Sequence, residues 1–227
     1  MPFILSIDTA TPLCSVAIHN NGQLCATCES QKEGVHGKKL TRLIEQVLAE
    51  VNLQAKDLSA IAISNGPGSY TGLRIGLATA KGLCFGLDLP LIALNTLEIM
   101  AAAWGMSRKG ALLAPMIDAR RMEVYTAIFD PQNETTVVET QARILEPDTF
   151  QAIDQKIIAF GNGAMKWKET CLHDQIEFTD MHPFPEAKNM GELAYDRYQK
   201  NLFAPLITIE PNYLKEFMGT KPKPKNS

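Results

Sequence analysis

The amino-acid sequence predicts an α/β protein of two related lobes, each a mixed sheet flanked by helices. Three observations lead there. A β-meander opens the chain, strands then alternate with helices in the way that produces parallel crossovers, and the second half repeats the theme in shorter form.

The meander comprises Phe3 to Asp8, Cys14 to His19 and Gln23 to Ser30. Its last two strands meet across Asn20-Asn21-Gly22, an Asn-Gly pair that accepts the positive φ of a tight hairpin. The apolar positions Leu40, Leu43, Ile44, Val47, Leu48 and Val51 then recur with helical spacing, opposite Lys38, Lys39, Arg42, Glu45 and Glu50. Leu58 to Ser64 reads as a strand, and Gly66-Pro67-Gly68-Ser69-Tyr70-Thr71-Gly72 as a loop. Leu73 to Leu87 reads as a second helix and Pro90 to Leu94 as another strand. Beyond it, Ala111 to Asp118 and Glu123 to Phe129 are strands around Ala119-Arg120-Arg121-Met122. Ile157 to Phe160 enters Gly161-Asn162-Gly163, and Met190, Leu193, Ala194 and Tyr198 mark a late helix. The lobes are set at residues 1–108 and 109–218, with 219–227 a disordered basic tail of Lys-Pro alternation.

The chain of 227 residues is 45% hydrophobic and 21% charged, with a formal net charge of −3. This composition is ordinary for a soluble globular protein and gives no bulk support for direct nucleic-acid binding. No apolar run approaches the roughly 20 residues of a membrane span, and no charged leader precedes Phe3, so a cytoplasmic location and no membrane partner are expected. Five scattered cysteines suit reduced core thiols. Cys25 and Cys28 have metal-ligand spacing, but residues three apart on a strand face opposite ways and no second pair completes a site. His36 is followed one helical turn later by Leu40, and His19, His173 and His182 lack ligand spacing, so solvated or capping histidines and no metal site are expected.

The helix from Leu73 to Leu87 is apolar nearly all round and must be covered on more than one side. Gly72, Gly76 and Ala80, then Gly82 and Gly86, give it small residues whose cost, about 1 kcal/mol per helical glycine, implies close approach of another backbone. Packing on its own sheet and packing on another subunit both satisfy that. The loop Gly66 to Gly72, between a strand and a helix N-terminus, has the form of a phosphate cradle, yet lacks the Gly-Lys-Ser/Thr ending of a P-loop. Asp8 and Asp118 end strands, where carboxylates facing one cleft would suit magnesium-nucleotide binding and where each alone would cap a turn.

Four blocks carry a family likeness: Ile4-Leu5-Ser6-Ile7-Asp8-Thr9-Ala10-Thr11 with Cys14-Ser15-Val16-Ala17; Gly66 through Gly76; Ile117-Asp118-Ala119-Arg120-Arg121 with Glu123-Val124-Tyr125; and Pro211-Asn212-Tyr213-Leu214-Lys215. Together, and in this order, they resemble the TsaB (YeaZ) family. The resemblance implies an actin-like ATPase (ASKHA) fold and a role as the dimerising, non-catalytic subunit in forming threonylcarbamoyladenosine on tRNA. In that family a paralogue, TsaD, binds metal and transfers the threonylcarbamoyl group, while TsaE supplies ATP hydrolysis. The implied partners are a TsaD-like subunit, a TsaE-like ATPase, a second copy of the chain when alone, and tRNA only through the complex. ATP and metal would belong to those partners, with no cofactor held by this chain.

Departures from the active paralogue favour a scaffold. Leu40 stands where the second metal-binding histidine would be, and Ala10 stands where a phosphate-binding turn has glycine. The second lobe is also abbreviated. Within the TsaB pattern itself, Met122 replaces an expected glycine. The expected interface comprises Leu40, Leu43 and Val47 of the first helix with Gly72, Leu73, Gly76, Leu77 and Ala80 of the second. Asp8, Thr9, Gly66, Gly68, Ser69 and Asp118 are candidates for a vestigial nucleotide or phosphate site, with no catalytic residue. The rival readings are an ATP-binding or ATP-hydrolysing enzyme of the actin-like group and a metal-dependent glycopeptidase.

Overall fold

The computed structural model describes residues 1–31, 36–104 and 110–215. The meander forms as expected: β1 (Phe3–Asp8) pairs antiparallel with β2 (Cys14–Asn20), and β2 with β3 (Gln23–Ser30). Asn21 and Gly22 make the turn with φ of 49° and 82°. Helix α1 (His36–Glu50) crosses to β4 (Ala60–Ser64), which runs parallel to β1. Helix α2 (Tyr70–Leu87) crosses to β5 (Leu91–Leu94), parallel to β4. The first sheet thus has the order β3-β2-β1-β4-β5.

After helix α3 (Thr96–Ala102) the second sheet repeats this plan. The antiparallel run is β6 (Leu112–Asp118), β7 (Glu123–Asp130) and β8 (Thr135–Ile144). The parallel additions are β9 (Ile157–Phe160) on β6 and β10 (Ile176–Phe178) on β9. Its order, β8-β7-β6-β9-β10, matches the first sheet strand for strand. The crossovers differ, since turns rather than helices occupy residues 145–156 and 161–175.

Strand alternation sorts the first sheet into two faces. Leu5, Ile7, Val16, Ile18, Ile61 and Ile63 meet Leu40, Leu43, Ile44, Val47 and Leu48 of α1 and Leu77, Ala80 and Cys84 of α2. Ile4, Ala17, Ala60, Ala62 and Ile92 meet Ile99 of α3, Ala187 and Met190, and Ala194 of helix α4 (Gly191–Gln199). Leu97 and Met100 on α3 pack on the second sheet with Leu113, Ile117 and Phe160, so α3 is a layer between the two.

The chain also returns. Residues 187–199 cover the first sheet, Ala204 bridges Leu91, and Leu206 and Ile209 pack on the first core. A division at residues 108 and 109 therefore does not separate what packs on each sheet, and residue 108 itself lies outside the described residues, as does the tail from 219 to 227.

Candidate functional site

The four sequence blocks that are far apart along the chain converge in space. β1 ends in the turn Thr9-Ala10, and the loop before α2 lies directly on it. A Cβ at Gly68 or Gly72 would overlap the carbonyl oxygens of Ala10 and Thr9, and one at Gly76 would overlap the Thr9 hydroxyl. The Ser69 amide donates to Ala10 O at 2.7 Å, and Thr9 Oγ1 donates to Gly72 O at 2.8 Å. Ser69 is also the N-cap of α2, its hydroxyl accepting from the Gly72 amide at 3.3 Å. On the loop's other side, a Cβ at Gly66 would come within 2.6 Å of Asn212 O, and the Asn212 amide donates to Asn65 O at 2.7 Å. Tyr213 stacks on Tyr70 with ring centroids 4.8 Å apart. Lys215 then reaches the second sheet, where its ammonium pairs with Glu123.

This geometry corrects the phosphate reading. Gly66, Gly68 and Gly72 permit close approach of the chain to itself, and the amides of Ser69 and Gly72 already have partners. The residues present do not fit a nucleotide phosphate at this loop. Asp8 and Asp118 also stand in different settings. Asp8 is fully buried; its Oδ1 accepts from the Ala10 amide at 3.3 Å, and its Oδ2 has no hydrogen-bond partner among the described residues. Burial pushes its pKa up to about 7, with the Ser64 hydroxyl and the Ala10 amide opposing. Asp118 is exposed, ion-paired with Lys166, and accepts from the Arg120 amide at 3.0 Å. It organises a turn, the plainer of its two sequence readings.

The interface residues inferred from sequence require a correction as well. Leu40, Leu43, Val47, Gly72, Leu73, Gly76, Leu77 and Ala80 are all buried within this one chain. The small stripe Gly72–Gly76–Ala80 admits the Thr9 turn and β4, with Ile63 Cδ1 only 3.1 Å from a Cβ at Gly76. The surface that α2 presents is its opposite side, where Thr71, Arg74, Ala78, Gly82, Phe85 and Gly86 are exposed. A Cβ at Gly82 or Gly86 would meet nothing within 4 Å, and Phe85 is 85% exposed. Helix α1 lies beside α2 and shows Thr41, Arg42, Glu45, Gln46, Ala49 and Glu50. Sequence reasoning saw Gly82 and Gly86 but missed Phe85, because an almost wholly apolar helix does not reveal which side its own sheet takes.

Two histidines expected in a solvated or capping role are buried. His19 is buried, with Nδ1 3.1 Å from Ser6 Oγ and Nε2 3.1 Å from Lys188 O, and burial lowers its pKa. His173 is buried between Phe150 O and the Gln175 amide. The side chain of His36 lies outside the described residues. Cys25 is exposed while Cys28 is buried, as opposite strand faces require. In the β6–β7 turn the positive φ falls on Arg120 and Arg121, not on Met122, where the family resemblance implied glycine. A cavity of about 1000 Å³ lies at the other end of the first sheet from Asp8, between the Asn21-Gly22 turn, α3, α4 and the β7–β8 turn. It contains none of the predicted site residues.

Two sheets with one strand order, each an antiparallel meander followed by parallel additions, define an actin-like (ASKHA) fold. A family model described as TsaD, tRNA N6-adenosine threonylcarbamoyltransferase, matches residues 30–218. The Escherichia coli K12 tRNA threonylcarbamoyladenosine biosynthesis protein TsaB is 31% identical over 97% of this chain and 98% of its own length. The Bacillus subtilis protein of the same name is 35% identical over 76% and 74% of the respective chains. A Pseudomonas aeruginosa crystal structure, of a protein with similarity to peptidase YeaZ, superposes with a TM-score of 0.81 at 25% identity, covering 95% of this chain and all of that one. Within the group that the TsaD model spans, the chain belongs to the TsaB (YeaZ) family.

Proposed function

We propose that this chain is a non-catalytic subunit in the biosynthesis of threonylcarbamoyladenosine on tRNA. Its exposed α1–α2 surface would pack against a TsaD-type catalytic subunit, or against a second copy when no TsaD is present. The observation that carries the reading is Phe85, a large apolar ring 85% exposed beside two glycines with open space above them. A single exposed apolar residue is unremarkable, but here it stands where the exposed side of the C-terminal half of α2 is otherwise Ala78, Gly82 and Gly86, small residues that a second helix could approach closely. In this reading ATP and metal are held by TsaE- and TsaD-type partners, tRNA is engaged by the assembly, and the complex is cytoplasmic. Against the ATPase rival, which rests on Asp8, Asp118 and the glycine loop, stand the chain's own backbone packed on that loop, the burial of Asp8, and the ion pair and turn that engage Asp118. The glycopeptidase rival lacks a ligand set: among the described residues no group of three His, Cys, Asp or Glu side chains could hold a metal.

The test is Phe85→Asp. Its thermal stability should match wild type, because the side chain makes no core contact. Its affinity for the TsaD-type subunit of the same organism should fall about a hundredfold, the loss typical of an aromatic hot spot. Threonylcarbamoyladenosine formation by the reconstituted proteins should fall with it. An intact complex with the variant, by gel filtration at micromolar protein, defeats the reading.

A further inference from the structure

The turn between β6 and β7 holds two arginines where arginine is seldom found. Arg120 has φ of 75° and Arg121 of 52°, the left-handed conformations that Asn and Gly ordinarily supply in such a hairpin. Strain of this kind persists where the surroundings enforce it and often accompanies function. Here the enforcement is visible. Asp118 Oδ1 accepts from the Arg120 amide at 3.0 Å, and Lys166 binds both Asp118 and Glu123 O. Both arginines are exposed, and neither side chain has an ion-pair partner among the described residues.

The neighbours extend this turn into a cationic and aromatic surface. Tyr125 lies close enough to Lys215 and Arg120 for both to act on its hydroxyl, which burial chiefly governs. Lys215 is two residues from Tyr213, Tyr213 stacks on Tyr70 at 4.8 Å and 29°, and the Arg74 guanidinium sits 5.0 Å over the Tyr70 ring. Arg74, Arg120, Arg121, Lys166 and Lys215 face three carboxylates, Asp118, Glu123 and Glu210. That local excess of positive charge sits on a chain whose net charge is −3. The sequence continues from Lys215 through Lys221, Lys223 and Lys225 against the single acid Glu216.

We propose that this surface contacts RNA: Arg120 and Arg121 meet backbone phosphates, and the Arg74–Tyr70–Tyr213 stack offers a planar platform to an unpaired base. Phosphate contacts alone would suit any polyanion. The stack decides for RNA, because the exposed Tyr213 ring and the exposed Arg74 guanidinium, backed by half-buried Tyr70, are what a splayed base packs on, whereas an acidic peptide would leave them idle. Arg74 shares the exposed side of α2 with Phe85, about three turns away, but Arg120, Arg121 and Tyr213 lie off that helix, so variants at those three positions test the inference apart from the assembly reading.

The experiment uses the full chain and a short, unstructured, fluorescently labelled RNA, with anisotropy read at about 50 and about 200 mM salt. Wild type binds more weakly as salt rises. Arg120→Asn combined with Arg121→Gly removes both charges and places the preferred residues in the turn, so it melts at or above the wild-type temperature. That variant should bind about tenfold more weakly, with a salt slope shallower by about 1.4 for two lost single-strand contacts. Tyr213→Ala should weaken binding and leave the slope unchanged. If the Asn-Gly variant melts below wild type, Arg120→Gln with Arg121→Gln carries the same comparison. No RNA binding by wild type at the lower salt overturns the proposal, as does an unaltered affinity and slope in the charge-removed variants. A polyglutamate peptide that displaces the RNA at equal charge concentration would assign the surface to an acidic protein segment instead.

Discussion

Helix α2 carries small residues on two sides, and the two sides mean different things. Gly72, Gly76 and Ala80 lie against the Thr9 turn and β4, with no room for another atom. Gly82 and Gly86 face open space beside an exposed Phe85. Glycine costs a helix about the same on either side. The first side recovers that cost inside the chain, by letting α2 reach the carbonyl of Thr9. On the second side nothing among the described residues recovers it. A stripe of small residues therefore signals close approach without saying to what, and only tertiary placement separates internal packing from a surface left for a partner.

The largest effect belongs to the buried side. Gly76→Leu would drive a side chain into Thr9 Oγ1 and Ile63 and break the bond from Thr9 to Gly72 O. Overpacking usually costs 1–3 kcal/mol, and more where backbone blocks relaxation. Against a total stability of about 5–15 kcal/mol, the expected outcome is a protein that still folds but melts roughly 5–10 °C lower. Soluble Gly76→Leu with an unchanged melting temperature would break the comparison at its firmest point.

That contact also marks the limit of what could be read beforehand. The meander, α1, β4 and α2 were legible because period-two and period-3.6 patterns were strong and Asn21-Gly22 named its turn. β8 was not, since Thr135–Ile144 is an edge strand with no fully buried residue and no alternation to see. Nor was the seven-residue α3, capped by Asn95. In the candidate site, the sequence located the Thr9 turn and the Gly66–Gly72 loop but not that one fills the other. Their contact joins residues more than sixty positions apart, and local pattern carries no trace of it.

A middle-sized effect tests the floor beneath the buried side. The folded pKa of Asp8, about 7, lies above its ordinary value of 3.8. The folded state therefore holds the proton more tightly than the unfolded chain. This contribution to stability is fully present below about pH 4 and is lost as pH rises through about 7. At about 1.4 kcal/mol per pH unit, Asp8 should make the protein about 2–3 kcal/mol less stable at pH 8 than at pH 5. Asp8→Asn, neutral throughout, should remove that difference from urea unfolding curves. The opposing pH dependence of buried His19, whose pKa is lowered, is common to both proteins and cancels. An identical pH dependence in wild type and variant would mean that Asp8 is solvated in the folded state.

The smallest effect sharpens the exposed side most. Gly82→Ala adds one methyl group where nothing lies within 4 Å. In the isolated chain it should raise stability by about 0.5–1 kcal/mol, because alanine loses less backbone freedom than glycine on entering a helix. If a helix of TsaD or of a second copy packs over this position, the same methyl group falls between two backbones, and association should weaken while the melting temperature rises. Opposite signs in the two measurements would come from one atom, which no general loss of structure can produce. Matching gains in stability and affinity would place the partner elsewhere on the molecule. Gly86→Ala, one turn further along the same side, should repeat the stability gain; the ratio of the two affinity losses would then show which turn of α2 the partner approaches more closely.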